Sequence, residues 1–227
     1  MKVLTTAIVA DLRNKLNGTV FSKNRYGLYA RTKVTPVNPQ STYQQQNRAI
    51  LGNASAAWKG LTQDQRNAWI AAAPNFPVTD IFGNVQILSG QALFVKLNAN
   101  LANAGQAPIS NPPTPVAMPS ITLLSGVADV SDPGIDLTFD AASPGAGFTP
   151  LFYATPLIIP SRLYVKNRLR LIGTATIAAS TADIYSKWNA RFGSLVAGQR
   201  ITVNFAVVSN TTGQMSTPSN CTMIVQA

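Results

Sequence analysis

The side chains that most often carry reaction chemistry are scarce in this chain. Its acids are Asp11, Asp64, Asp80, Asp129, Asp132, Asp136, Asp140 and Asp183, it has neither glutamate nor histidine, and Cys221 is its single cysteine. Histidine has the unperturbed pKa nearest neutrality and is the commonest general base, while glutamate often carries protons or binds metals. A catalyst made from this alphabet would have to rely on Asp, Lys, Tyr or Ser, and no spacing of these residues marks a catalytic site. The expectation is therefore a protein that is not an enzyme and holds no cofactor and no metal. Asp129, Asp132, Asp136 and Asp140 do not reproduce a calcium loop. Ser143-Pro-Gly-Ala-Gly-Phe148 lacks the Lys-Ser/Thr that completes a phosphate loop, so it reads as a flexible connection. Cys221, alone in an apolar strand-like run, reads as a small buried hydrophobe.

The chain is instead rich in cations, often close to aromatic residues. The stretch from Phe21 to Ser41 interleaves Phe21, Tyr26 and Tyr29 with Lys23, Arg25, Arg31 and Lys33. A second run, Arg162 to Leu171, alternates so that Arg162, Tyr164, Lys166, Arg168 and Arg170 share one face if it forms a single strand. A turn at Lys166-Asn167 would divide that stripe. The net charge is +10, and eleven of the eighteen bases but only three of the eight acids precede residue 117. Such a surface attracts polyanions, whether an acidic protein or nucleic acid, in a salt-dependent way. The alternatives are a solvated hairpin face and, for the second run, a charged edge that resists mispairing.

The elements that must position these residues follow from period and punctuation. Val3–Ala10 reads as a short strand or arm, and Asn17-Gly18 as a turn. Two strands, Thr19–Lys23 and Leu28–Lys33, flank a connection where Gly27 takes positive φ, with Tyr29, Arg31 and Lys33 on one face. Pro36 and Pro39 keep the next stretch extended. Capping boxes at Ser41/Gln44 and Thr62/Gln65 open two helices, the first with Ile50, Ala54, Ala57, Trp58 and Leu61 on its apolar face and the second with Ala68, Trp69 and Ala72. Trp58 and Trp69 read as core. A small hairpin, Val78–Ile81 with Val85–Leu88, precedes a helix that Ser89 caps, that carries Leu93, Phe94, Leu97 and Leu101, and that closes at Gly105.

A proline-rich stretch, residues 107–119, reads as a stiff linker between a basic α+β domain, 1–106, and a β-domain, 120–227. Short apolar runs at 121–127, 135–139, 151–154, 163–172, 201–208 and 221–225 predict a β-sandwich. A helix over Ser180–Phe192 interrupts it, with Ile184, Trp188 and Phe192 on one side. The expected fold is thus α+β, hairpins and three helices, followed by an all-β sandwich with a helical insertion. No run approaches the roughly 20 apolar residues of a membrane helix, so no membrane partner is expected.

Ile135-Asp-Leu-Thr-Phe139, the run Ile201 to Gly213 and Ser216-Thr-Pro-Ser219 resemble the fibronectin type III family, with Phe139 and Ile201 where that family usually has tryptophan and tyrosine. Val20-Phe-Ser-Lys-Asn24, Gly27, Tyr29, Arg31, Pro36-Val-Asn-Pro-Gln-Ser41, Trp58, Leu61-Thr62, Gln65-Arg66 and Trp69 resemble uncharacterised proteins encoded in tailed-phage and prophage genomes. That resemblance implies a virion structural protein, capsid-associated in preference to tail or connector, assembled in the host cytoplasm and present in many copies or as a homo-oligomer. Its partners would be capsid or other virion proteins, met by Phe21, Lys23, Arg25, Tyr26, Tyr29, Arg31, Lys33, Arg162, Lys166, Arg168 and Arg170. The same residues serve the alternative, nucleic-acid binding.

Overall fold

The computed structural model describes residues 12–80, 82–141 and 143–227. The arm expected over Val3–Ala10 and the end of the expected strand at Ile81 lie outside the described residues. The chain begins with a three-stranded antiparallel sheet of β1 (Asn14–Leu16), β2 (Thr19–Asn24) and β3 (Gly27–Thr32). Asn17, at φ 49°, makes the first turn with Gly18. The second turn sets Asn24 opposite Gly27, whose φ of 106° suits a residue without a Cβ.

Three helices follow: α1 (Thr42–Gly60), α2 (Gln63–Ala72) and α3 (Gly90–Asn103). The Thr62/Gln65 box closes reciprocally, whereas at α1 the Ser41 hydroxyl only accepts from the Gln44 amide and the Gln44 side chain does not return the bond. Trp69, Ala73, Phe76, Leu93, Phe94 and Leu97 form the helical core, with Trp58 against it. Ala68 is exposed, correcting its expected place: a short 3-10 turn, Ala73–Asn75, extends α2 so that Ala73 and Phe76 take up the buried face. A two-residue hairpin, β4 (Val78–Thr79) with β5 (Val85–Gln86), joins α2 to α3 and is held by the Asp80 carboxylate, which accepts from the amides of Phe82 and Asn84. α3 ends in a paired C-terminal motif: Gln106 N–H donates to Leu101 O and Gly105 N–H to Ala102 O, with Gly105 at φ 72°.

Residues 107–119 have no regular structure but are tied down at several points. Asn98 exchanges side-chain bonds with both backbone groups of Ile109, and Trp69 Nε1 donates to Ser110 O. Further on, Val116 N–H donates to Gln214 Oε1.

Seven strands then form one large curled sheet: β6 (Leu123–Asp129), β7 (Gly134–Phe139), β8 (Phe148–Ala154), β9 (Arg170–Thr174), β10 (Thr181–Asp183), β11 (Arg200–Ser209) and β12 (Ser219–Gln226), in the order β10-β7-β6-β12-β11-β8-β9. All pairs are antiparallel except β12 with β6. The sheet folds over a single core in which Phe139 of β7 packs 4.8 Å from Phe205 of β11 and 6.2 Å from Phe152 of β8, centroid to centroid. Alternation is clean in β7, where Ile135, Leu137 and Phe139 are buried and Asp136 and Thr138 are not.

Two sequence expectations fail here. The run 163–172 is not one strand: a 3-10 turn occupies Lys166–Arg168 and β9 starts only at Arg170. β8 ends at Ala154, opposite Arg170, so earlier residues face no neighbour to pair with, and Leu163 is 90 % exposed. The helix expected from Ser180 is first a strand, because Thr181–Asp183 completes the edge of β7, and only then α4 (Tyr185–Phe192). Asp183 governs the changeover, its carboxylate accepting from Ile135 N–H at 3.2 Å and from Tyr185 N–H at 2.8 Å. Trp188 of α4 is fully buried and donates from Nε1 to Thr155 O.

Helical and β cores meet at α3. Ala104 is buried against Leu151 and Val208, and Asn100 Nδ2 donates to Gly213 O at 2.8 Å.

Candidate interaction surfaces

In β1–β3 the register decides which cations act together. Phe21 lies opposite Ala30 and Lys23 opposite Leu28, so both stand on the face where Leu28 and Ala30 are buried. Ser22 lies opposite Tyr29 and Val20 opposite Arg31, while Lys15 pairs with Val20, so Tyr29, Arg31 and Lys15 share the other face. Lys33 follows the end of β3, its amide donating to Gly18 O. Arg25 and Tyr26 form the turn, the guanidinium lying 5.9 Å from the ring centroid. The seven residues anticipated as one contact patch are therefore divided between two faces and a tip. Lys23, Arg25, Arg31 and Lys33 are exposed, and Phe21, Tyr26 and Tyr29 are half-buried. Among the described residues, none of this sheet belongs to the three hydrophobic clusters.

The second anticipated stripe, Arg162, Tyr164, Lys166, Arg168 and Arg170, is broken by the 3-10 turn and does not share a strand face. Its members are all exposed, but only Arg170 is drawn into a formed site. That site is a cleft of about 480 Å³ where the start of α1 meets β9 and α4, lined by Arg48, Arg170, Arg191, Tyr43, Pro39 and Leu51 among others. Among the described residues, no carboxylate lines it.

Each guanidinium of the cleft is anchored through its Nη1. Arg191 Nη1 donates to Leu171 O, and its guanidinium carbon sits 3.8 Å from the Tyr43 ring centroid. Arg170 Nη1 donates to Asn167 O and Leu169 O, and Arg48 Nη1 to Asn38 Oδ1 at 2.8 Å. Burial pushes the Arg191 guanidinium below its ordinary value; Tyr43 opposes that shift and the neighbouring charge of Arg170 adds to it. The first turn of α1 contains no acid, leaving its positive dipole end uncompensated at the same place.

Sequence reading found Arg170 but missed Arg48, Arg191 and Tyr43. These come from elements 43 to 191 along the chain and carry no common spacing, so their convergence was not legible. The only trace is compositional: a tyrosine beside a capped helix start, and a basic helix end at Arg191. Other expectations are modified. Cys221 is half-buried, and burial raises its thiol pKa. The Ser143–Phe148 loop lines a second cleft, of about 640 Å³, with Asp183 and Lys187, where the Asp183 carboxylate accepts from Ile135 and Tyr185. No group of three or more metal-ligating side chains occurs among the described residues, and no helix among them is long and apolar enough to cross a membrane.

No protein-family model matches the chain and no curated protein matches it. Solved structures similar to about half of it include two of different kinds. One, a Fn3-like protein from Clostridium thermocellum, is 21% identical over 49% of this chain and 97% of that one, with a TM-score of 0.32. The other, a beta-1,2-glucanase from Parabacteroides distasonis, is 10% identical over 50% of this chain and 14% of the glucanase, with a TM-score of 0.29.

Proposed function

We propose that this chain is a structural component of a tailed-phage virion, a capsid-associated auxiliary protein that works by binding neighbouring virion proteins and catalyses nothing. The observation that carries the reading is the β1–β3 sheet, which presents Lys23, Arg25, Arg31 and Lys33 to solvent. Leu28 and Ala30 are buried on one face, so the cations at the tip and on the Arg31 face are the ones placed to meet an acidic surface. Half-buried Phe21, Tyr26 and Tyr29 add the aromatic area typical of protein contacts.

The β-domain is read as a fibronectin type III-like sandwich, with β6, β7 and β10 as one layer and β9, β8, β11 and β12 as the other. The strand order supports this, as does the core shared by Phe139, Phe152 and Phe205. Many copies on a symmetric particle let weak individual contacts suffice through avidity.

The test is binding of the purified chain to DNA-free shells of the phage that encodes it, beside a variant carrying Lys23→Ala, Arg25→Ala, Arg31→Ala and Lys33→Ala. Retained binding by the parent and loss in the variant is expected. Failure of the parent to bind shells, with tight and steeply salt-dependent binding to free DNA, overturns the reading in favour of a nucleic-acid-binding protein.

A further inference from the structure

We propose that the cleft formed by Arg48, Arg170 and Arg191 is a docking site for an acidic, leucine-containing segment of another protein, separate from the β1–β3 sheet and independent of the virion reading. Three cations from three elements converge there, and no lining residue among those described neutralises them. Bringing like charges together raises their mutual repulsion, and an arriving carboxylate relieves it. Arginine is suited to that ligand, since its planar fork of donors matches a carboxylate in a bidentate fashion.

The cations are also pre-organised. Arg191 is clamped between the Tyr43 ring and Leu171 O, Arg170 is tethered to two carbonyls of its own loop, and Arg48 to Asn38. Holding them in place before binding lowers the side-chain entropy lost on association.

The rest of the lining selects protein over nucleic acid. Leu51 is 56 % exposed and Pro39 is exposed beside it, giving the cleft an apolar wall. A leucine from a peptide gains by covering that wall, whereas a sugar–phosphate backbone does not. Tyr43, the ring a base would stack on, already carries Arg191 on one face. At about 480 Å³ the cleft takes a few side chains, not a folded domain.

The experiment uses the full chain at 0.15 M salt and a fluorescein-labelled peptide of eight glutamates around two central leucines, followed by anisotropy. Arg48→Ala with Arg170→Ala is compared with Lys23→Ala with Arg25→Ala, which removes the same charge from the hairpin. All four side chains are exposed, so neither pair threatens a core. A weakening of at least about tenfold for the cleft pair and less than threefold for the hairpin pair is expected. Replacing the two leucines of the probe with serine should weaken binding to the parent severalfold and change little in Leu51→Ser. Equal losses in the two charge-matched pairs would mean that affinity follows net charge, and would overturn the proposal. So would an unmeasurable peptide affinity, or an oligothymidylate of equal charge that binds more tightly and is lost with the cleft pair.

Discussion

Two glycines with almost the same backbone test whether α3 is seated on the β-sheet as described. Gly105 has φ 72° and Gly213 has φ 69°, so alanine at either pays the left-handed cost, about 1–2 kcal/mol. Their surroundings differ. A Cβ at Gly105 meets nothing within 4 Å, while one at Gly213 lands on the Leu97 carbonyl, far inside van der Waals contact, and 3.1 Å from Leu101 Cγ. The main obstacle is helix backbone, which cannot rotate away, so relief requires α3 to slide off the turn after β11. Sliding breaks the bond from Asn100 Nδ2 to Gly213 O, worth about 0.5–1.5 kcal/mol. It also uncovers Ala104, Leu151 and Val208 at about 0.8 kcal/mol per methylene-sized group. Gly213→Ala should therefore cost about 2 kcal/mol more than Gly105→Ala. Urea unfolding followed by tryptophan fluorescence measures both, with Trp58 and Trp69 in the helical part and Trp188 in the β part. Equal losses would refute the seating of α3 against Gly213.

Two further outcomes follow from titrating groups. Asp129 is held below its ordinary value, chiefly by the Ser131 hydroxyl and then by the Ser131 amide, so the folded state binds its proton less readily than the unfolded one. Its contribution is present above the unfolded pKa of about 3.9 and is lost as pH falls through the folded value. The urea midpoint of the parent should exceed that of Asp129→Asn at pH 7, and the gap should shrink at pH 3; a gap independent of pH refutes the assignment. Burial raises the Cys221 thiol, so its alkylation by iodoacetamide should rise at higher pH in the folded chain than in urea. An identical pH profile in both states would show that the thiol is not shielded.

Local signals were legible in the sequence wherever a residue's own backbone decides the outcome. Ser41, Thr62 and Ser89 cap the helices that follow them, Gly27 and Gly105 take positive φ, and Leu93, Phe94, Leu97 and Leu101 face inward from α3. Reading failed where a neighbour decides. Residues 163–169 alternate like a strand but lack a pairing partner once β8 has ended, and Thr181–Asp183 become a strand only because β7 offers an edge. Alternation within β3 places Tyr29 and Arg31 together, away from Leu28 and Ala30, whereas the side on which Phe21 and Lys23 fall depends on register across the turn and is not fixed by alternation in one strand. The cleft was invisible because its arginines meet only after α1, β9 and α4 are packed.

The placement of charge separates the chain's stability from its contacts. Both cores are closed by apolar packing and a few buried amide and indole bonds, such as those of Asn98, Trp69 and Trp188. Lys23, Arg25, Arg31 and Lys33 on the first sheet, and Arg48 and Arg170 in the cleft, belong to neither core. Exposed ion pairs contribute little to stability, so removing exposed cations that have no counter-ion among the described residues should leave folding nearly unchanged. Repulsion between Arg170 and Arg191 is a cost that folding alone does not recover, whereas an anionic partner does. Hairpin and cleft can thus be disabled one at a time in a chain that still folds, and a binding defect in either variant identifies the surface that makes the contact.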